Sequence, residues 1–275
     1  MECFANAGLV RIVSDLHLGH KLSRIEDVRA FGPLIDGADV VVFNGDTWQE
    51  LAREFRPRGE RQLAELRDLC TRAGAQPVFL SGNHDPGWPG DGWLTMAGGR
   101  VVVTHGDAIL PAGSPWKREI LARPDRVEAL WHAHPHAAHH PAARIRLARA
   151  IAAELRSVEH PAGRSFFRRA WDAVVPPQRA LRMLDAWWRQ GDEGARFCEH
   201  YFPDAEFLII GHFHRAGCWM SGGRVVINTG AFMSPGRACL VDWQPAAGHL
   251  VWADIDERDA TAYRPGRVRN VWRLK

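Results

Sequence analysis

Residue types that bind metal ions recur at five places along the 275-residue chain. Carboxylate, amide and imidazole donors together suit Mn²⁺, Fe or Zn²⁺, and the lack of cysteine among them argues against a structural zinc site. Two divalent cations about 3.5–4 Å apart need a shared anionic oxygen and further ligands on each side. The residues are therefore candidates for a two-metal centre. In chain order the groups are Asp15-Leu16-His17, Gly45-Asp46, Gly82-Asn83-His84-Asp85, His105 and His212-Phe213-His214.

A short apolar run precedes every one of these groups, which predicts that each group follows a buried strand. Ligand sites in open α/β sheets gather where the carboxyl ends of strands meet loops. Side chains alternate along an extended segment, so Asp15 and His17 would point to one side, as would the two histidines of the last group. One site built from several strand ends is therefore expected. The predicted strands are residues 9–13, 39–43, 77–80, 101–103 and 207–210.

The remaining patterns predict helices between these strands and more strands near the end of the chain. In one helix, Leu63, Leu66 and Cys70 recur at helical spacing. Turn residues at 221–223 predict a hairpin. The helices are expected at residues 24–35 and 60–73, and the strands at 219–220, 225–227, 238–241 and 250–252.

Between the last two ligand groups the apolar spacing becomes helical. After Pro141 an apolar stripe runs to Val158, with arginines off that stripe at 144, 149 and 156. A second stripe covers residues 166–174 and a third covers residues 181–188. The stripes lack the dense lysine clusters typical of membrane-surface helices, so we expect them to pack on one another or on the rest of the protein.

These stripes divide the chain into two parts. We predict a core of residues 1–110 and 202–275, and a helical insertion of residues 111–201 that forms a cap. Trp187 and Trp188 are about 100° apart on a helix, so both cannot point inward, and we hypothesise that one lines a substrate pocket. Five histidines between His132 and His140 are interpreted as a solvated loop, because no carboxylate supports them as a metal site.

Composition limits the class of protein. With 46% hydrophobic residues the chain can form a full core, and its net charge of +3 is too weak to indicate a nucleic-acid partner. Five scattered cysteines, none in a CxxC pair, are typical of reduced thiols in the cytoplasm. No stretch approaches the roughly 20 apolar residues of a spanning helix. We expect a cytoplasmic protein, at most peripheral on the inner face of the membrane.

The order D-x-H, G-D, G-N-H-D, H, G-H-x-H resembles the calcineurin-like metallophosphoesterase superfamily, and all five blocks occur here in order. The resemblance covers residues 9–107 and 205–253 but not the insertion. It implies a four-layer αββα sandwich, here with a helical cap insertion. It also implies a two-metal hydrolase in which water held between the ions attacks phosphorus.

The resemblance assigns a role to each residue of the five groups. His84 would stabilise or protonate the leaving oxygen. Asp85 could orient His84 or cap the following turn, and the structural role is favoured. One metal would be bound by Asp15, His17, Asp46 and His214. The other would be bound by Asp46, Asn83, His105 and His212, with Asp46 as the bridge.

Within the superfamily the details favour one group. The phosphoprotein-phosphatase branch has Asp-Arg-Gly soon after its second Asp, whereas Asp46 is followed here by Thr-Trp-Gln-Glu. The blocks at 14–19 and 104–107, with the helical insertion, resemble the UDP-2,3-diacylglucosamine pyrophosphatases of lipid A synthesis. That resemblance implies Mn²⁺, a nucleotide-linked lipid as substrate, and UMP and a lipid 1-phosphate as products. The best-known members have Arg where this chain has His84.

Three alternatives stay open. A phosphodiesterase or phosphomonoesterase acting on another small substrate would use the same ligands. A non-catalytic metal-binding scaffold on the same fold should lack ligands or the histidine at position 84, and all of these are present. A nuclease is disfavoured by the weak net charge.

Overall fold

The computed structural model describes residues 4–154, 177–257 and 262–274. The stripe predicted over residues 166–174 lies outside these residues, as do Cys3, Arg156 and Val158. The strands are β1 (Val10–Val13), β2 (Val40–Asn44), β3 (Gln76–Leu80), β4 (Trp93–Met96), β5 (Val101–Thr104), β6 (Phe207–Ile210), β7 (Gly217–Ser221), β8 (Arg224–Asn228), β9 (Cys239–Gln244), β10 (His249–Asp256) and β11 (Arg264–Arg273). The α-helices are α1 (Gly32–Ile35), α2 (Arg56–Arg72), α3 (Arg118–Ala122), α4 (Pro124–Ala133), α5 (Pro141–Glu154) and α6 (Pro177–Tyr201).

The strands form two sheets. The first has the order β11-β10-β9-β1-β2-β3, and the second has the order β4-β5-β6-β8-β7. Strands β1, β2 and β3 run parallel to one another, as do β5, β6 and β8. Most of these strands are continuous apolar runs, such as Val10–Val13, because both faces of each sheet are covered. Their parallel direction brings their carboxyl ends to one edge of the protein.

The two sheets pack face to face and helices cover both outer faces. Between the sheets, Ile12 and Val42 of the first contact a shared core with Val103 and Ile209 of the second. Helix α2 covers the outer face of the first sheet, where Leu66 joins the same cluster as Phe43. Helices α5 and α6 cover the second sheet in the same way. The predicted four-layer αββα sandwich is therefore confirmed, while the division into a core and a cap stays a prediction.

Some predicted elements are wrong in detail. In place of a helix over residues 24–35, the chain has a 3₁₀ turn at Val28–Phe31 followed by α1. The Asp27 side chain caps that turn by accepting from Arg29 N, and Pro33 follows at the start of α1. Strands β4 and β11 were not expected. Strand β11 is an exposed edge strand in which arginine and other polar residues replace the apolar run that marks a buried strand.

The arginines at 144 and 149 were expected off the apolar stripe of their helix, and this is wrong for both. Arg144 is 3% exposed and Arg149 is 8% exposed. The Arg144 guanidinium donates to Leu110 O and lies over the Trp131 ring, so its charge is partnered inside the protein. Burial of a charge is tolerated where such partners replace water.

Four cysteines in the described residues are free thiols, and burial raises the pKa of Cys70 to about 11 and that of Cys198 to about 12. These thiols are protonated and unreactive at neutral pH. The described helices include none that combines the length and apolarity needed to cross a membrane.

Candidate metal centre

All seven predicted metal ligands lie at the edge where the carboxyl ends of β1, β2, β3, β5 and β6 meet. Hydrogen bonds beyond the strands hold the ligand loops in register. Asp15 N donates to Gly45 O at 3.1 Å, and Gly211 N donates to His105 O at 2.8 Å. A Cβ on Gly211 would collide with the Asp15 carboxylate, so glycine is needed at that position. The loops of both sheets are therefore packed directly against one another.

Four of the seven ligands form a first group of donor atoms. Asp15, His17, Asp46 and His214 each offer one atom, and these atoms all lie within 4.8 Å of one another. His214 Nε2 is 3.0 Å from His17 Nε2 and 3.2 Å from Asp15 Oδ1. Three of the residues are buried and His214 is partly exposed. This His/Asp group could hold a metal ion.

The other three ligands form a second group around the same aspartate. Asn83 Oδ1 is 2.7 Å from His212 Nδ1 and 3.2 Å from His105 Nε2. Asp46 Oδ2 lies 3.3 Å from His105 Nε2 and 3.8 Å from His17 Nε2. One carboxylate oxygen of Asp46 therefore faces both groups, as a shared ligand must.

The chemistry of these donors fits a divalent cation in each group. Ligand atoms about 2.1 Å from one ion lie about 3.0–3.4 Å apart, which is the spacing of the closest pairs here. Asp15 Oδ1 is buried without a hydrogen-bond partner among the described residues. His105 Nδ1 lies 3.0 Å from Asn44 O and His212 Nε2 lies 3.2 Å from Gly113 O, and carbonyls only accept, so each ring in its neutral form would have its bare nitrogen on the side of the site.

The backbone is strained at the ligands themselves. The φ angles of Asp15, His17 and Asp46 are 54°, 49° and 49°, and those of His212 and His214 are 67° and 53°. Residues other than glycine rarely adopt this left-handed region, at a cost of order 1–3 kcal/mol each, and such strain clusters at functional sites. Five of the seven predicted ligands share it, so the fold holds these side chains in place against a local preference.

Charge is concentrated at this edge. Burial would raise the pKa of Asp15 and Asp46, but neighbouring imidazoles hold both well below the usual range. Burial lowers the pKa of His105, yet Asp46 and Asp15 raise it to about 10. Burial and the nearby His105 lower the pKa of His212 to about 4. The two carboxylates are therefore ionised at neutral pH.

Asp85 has the structural role that was favoured for it. It is 0% exposed, and its carboxylate accepts from Asp46 N at 2.9 Å, Thr47 N at 2.8 Å and Gly82 N at 2.8 Å. Burial and the charge of Asp46 raise its pKa to about 7. Asp85 thus ties the loop that carries Asp46 to the loop that carries Asn83.

His84 lies beside both groups. Its Nε2 is 3.9 Å from Asp46 Oδ2 and its side chain is 36% exposed. Burial lowers its pKa, and His17 and Lys117 lower it further against the opposite effect of Asp46. The ring lines a cavity together with Asp46 and Asn83.

Sequence reasoning missed two residues of this site, Gln49 and Lys117. Gln49 is 2% exposed and contacts both His17 and His84. Lys117 lies within the predicted insertion, directly before α3, and lines the same cavity as Asp46 and His84. Burial lowers the Lys117 pKa, and the negative charge of Asp46 opposes that effect. A lone glutamine or lysine in a loop carries no pattern that could have identified either residue.

A buried arginine from the insertion joins two ligand loops. Arg149 of α5 donates from Nε to Ser81 Oγ at 3.1 Å, and its other nitrogens donate to Ser81 O and to the Asp107 carboxylate. Ser81 precedes Asn83 in the chain, and Asp107 follows His105. Burial would raise the Asp107 pKa, but Arg149 holds it below the usual range. The insertion therefore supports the site directly.

Arg149→Met should destabilise the protein by about 3–5 kcal/mol, because it leaves the Asp107 carboxylate buried and unpaired. The matched control is Arg146→Met on the same helix, since Arg146 has a side chain that is 67% exposed and lies 4.0 Å from Asp91. That control should change stability by less than about 0.5 kcal/mol. Denaturant unfolding of both variants measures the difference, and equal midpoints would contradict the stabilising role of the Arg149 contacts.

A cavity of about 940 Å³ opens from the two donor groups. Its walls include Met183, Leu184 and Trp187 of α6, together with Phe213. Trp187 therefore lines this cavity, while Trp188 is 80% exposed, and the hypothesis that the cavity is a substrate pocket stays a prediction. The lining also includes the charged residues Arg215, Arg237, Arg269 and Asp254.

The histidines at 132–140 are exposed as predicted, apart from half-buried His134, but the segment is not a loop throughout. His132 lies in α4, and His136 lies in a 3₁₀ turn over Pro135–Ala138. That turn packs inward through Ala137, which is 0% exposed, so apolar contacts give the segment a fixed structure. The described lining of the large cavity includes none of these histidines.

No protein-family model matches the chain, and no curated protein matches it. Solved structures resemble it weakly. A single mutant of Vps29 from Entamoeba histolytica has a TM-score of 0.45 and 13% identity, over 95% of this chain and 99% of that chain. Yfce, a phosphoesterase from E. coli, has a TM-score of 0.41 and 12% identity, over 97% of this chain and 100% of that chain. Likenesses of this strength assign no activity to the chain.

Proposed function

We propose that this protein is a two-metal hydrolase of phosphate esters or anhydrides. The observation that carries the proposal is the convergence of seven donor side chains into two groups that share Asp46. Two divalent cations bound there would lower the pKa of a water between them and neutralise charge that develops on the phosphoryl oxygens. Mn²⁺ is the metal that we propose first.

The remaining groups of the site supply what such a reaction needs from the protein. Asp46 fixes the spacing of the two donor groups because one oxygen faces both. His84 Nε2 faces the cavity and can donate a proton to the leaving oxygen. Lys117, on the same cavity wall, offers an ammonium group to a phosphoryl oxygen.

The cavity favours a substrate with an apolar part and more than one anionic group. Its volume suits a ligand of drug size or larger, and its walls on α6 are apolar. Arg237 and Arg269 both contact the Asp254 carboxylate, which holds the two guanidinium groups in place. Each guanidinium has five donors, so most of them stay available to a ligand.

We therefore propose a UDP-2,3-diacylglucosamine-type pyrophosphatase that releases UMP and a lipid 1-phosphate, acting in the cytoplasm at the inner face of the membrane. The apolar wall would contact the acyl chains, and the arginines would donate hydrogen bonds to the uridine-side phosphate. The runner-up is a phosphodiesterase or phosphomonoesterase with another small substrate, for which the same metal centre would serve.

The test is a panel of substrates with the Mn²⁺-loaded protein. UDP-2,3-diacylglucosamine, a phosphate bis-ester, a phosphate monoester and DNA are compared, and UMP release is followed by chromatography. The proposal expects the pyrophosphate to have the highest kcat/KM and DNA to show no cleavage. Hydrolysis confined to the simple esters would favour the runner-up. Tight binding of two Mn²⁺ without hydrolysis of any substrate would show a scaffold instead.

A further inference from the structure

One buried amide links a predicted metal ligand to the predicted proton donor. Gln49 Nε2 lies 2.8 Å from His17 Nδ1, and Gln49 Oε1 lies 3.1 Å from His84 Nδ1. The two imidazole rings meet edge to face with centroids 5.0 Å apart. A single side chain thus contacts the inner nitrogen of both rings, away from solvent.

The donor and acceptor rules of these groups allow two arrangements. An amide nitrogen only donates, an amide oxygen only accepts, and a neutral imidazole has one N–H and one bare nitrogen. With the Gln49 nitrogen on His17, the His17 proton is on Nε2 and the His84 proton is on Nδ1. A half-turn of the Gln49 amide exchanges its nitrogen and oxygen, and this reverses the proton position on both histidines. His17 then carries its proton on Nδ1, and His84 carries its proton on Nε2.

A metal ion at His17 Nε2 is compatible with the second arrangement only. The ligand nitrogen must be bare, so the proton must sit on Nδ1 and must find an acceptor. His105 and His212 meet this need with backbone carbonyls, which always accept. His17 meets it only when Gln49 presents its oxygen. The same half-turn places a proton on His84 Nε2, the atom that lies 3.9 Å from Asp46 Oδ2 at the cavity wall.

We infer that Gln49 is a positioning residue that couples metal occupancy at His17 to the position of the proton on His84. The inference rests on the proposed function. In the loaded protein, the amide oxygen accepts from His17 Nδ1 and the amide nitrogen donates to His84 Nδ1. His84 then presents an N–H to the leaving oxygen while it is a neutral imidazole. The donor is set only when the metal site is filled.

The test reads the histidine protons directly. Two-bond ¹H–¹⁵N spectra of the protein loaded with diamagnetic Zn²⁺ show which nitrogen of His84 is bare. We expect a bare Nδ1 in the wild type. In Gln49→Glu both oxygens accept, so Nδ1 of His84 should carry a proton. A protonated Nδ1 in the loaded wild type, or the same His84 pattern in both proteins, would overturn the inference.

A second readout compares leaving groups. Gln49→Leu removes the amide, so turnover of an alkyl phosphate, which needs a proton at its leaving oxygen, should fall about 10-fold more than that of 4-nitrophenyl phosphate. The control is Gln62→Leu, because Gln62 is a buried glutamine whose amide, among the described residues, hydrogen-bonds only to Gly19 N and the carbonyls of residues 25 and 26. An equal loss for both esters in Gln49→Leu would contradict the coupling. A wild type that binds Zn²⁺ but hydrolyses neither these esters nor UDP-2,3-diacylglucosamine would instead contradict the proposed function.

Discussion

Asp46→Asn should abolish turnover, with a loss on the order of 10³-fold or more, because it removes the only oxygen that faces both donor groups of the described site. Asparagine keeps the shape of the side chain and an oxygen that can still accept from His84 N, as Asp46 Oδ1 does at 2.8 Å. The variant should therefore fold. Steady-state kinetics with Mn²⁺ measure the loss of turnover, and metal analysis of the dialysed protein measures the loss of bound metal.

Stability measurements separate this effect from misfolding. A ligand present at a hundredfold excess over its dissociation constant stabilises the native state by about 2.7 kcal/mol. Mn²⁺ should raise the melting temperature of the wild type clearly and that of Asp46→Asn much less. Without metal the variant should still unfold in one cooperative transition, but it should be less stable than the wild type at neutral pH, because the lowered pKa of Asp46 means that the neighbouring imidazoles stabilise its charge in the folded state. Asp204→Asn, an exposed change, is the control. If Asp46→Asn kept two tightly bound ions and near-normal turnover, the shared-ligand assignment would be wrong.

His84→Ala should slow turnover by about 10²–10⁴-fold while leaving the binding of both ions unchanged. The ring lies next to the donor atoms but belongs to neither group, so its loss removes a proton donor and no ligand. The defect should be largest for substrates with poor leaving groups. Calorimetric titration with Mn²⁺ and kinetics on alkyl and 4-nitrophenyl phosphates provide the measurements.

His20→Ala is the matched control for His84→Ala. The His20 ring is 6.4 Å from the His17 ring and packs on Phe55, and it is not part of the described cavity lining. It should have near-normal kcat. Loss of one metal ion in His84→Ala would make this residue a ligand, and an unchanged rate on alkyl phosphates would remove its role as a proton donor.

The segment predicted as an insertion contributes contacts to the candidate site. Gly113 O accepts from His212, and the Trp116 ring lies with its centroid 5.3 Å from that of His212. Arg149 anchors α5 to the loops before Asn83 and after His105. Changes in the insertion should therefore affect metal affinity and not only substrate binding.

The strands that carry the candidate ligands were predictable because their signal is local. Runs such as Val40–Asn44 and Phe207–Ile210 are continuous and largely apolar since both faces are buried, and a candidate ligand, Asp46 or His212, follows two residues after each strand. Strand β11 gave no such signal, because it lies at a sheet edge and its side chains are mostly exposed. The helix expected over residues 24–35 was wrong because turn and proline residues outweigh the apolar spacing there.

By itself the sequence determined which residue types stand at the ends of which strands, and hence that a two-metal site was worth expecting. Only the tertiary structure decided that Asp46 faces both donor groups, that Arg149 is buried in an ion pair, and that Gln49 joins His17 to His84. The physical reason is that ligand spacing along strands is set by local backbone geometry. Hydrogen bonds and charge pairs between distant segments depend on how the two sheets and the insertion pack.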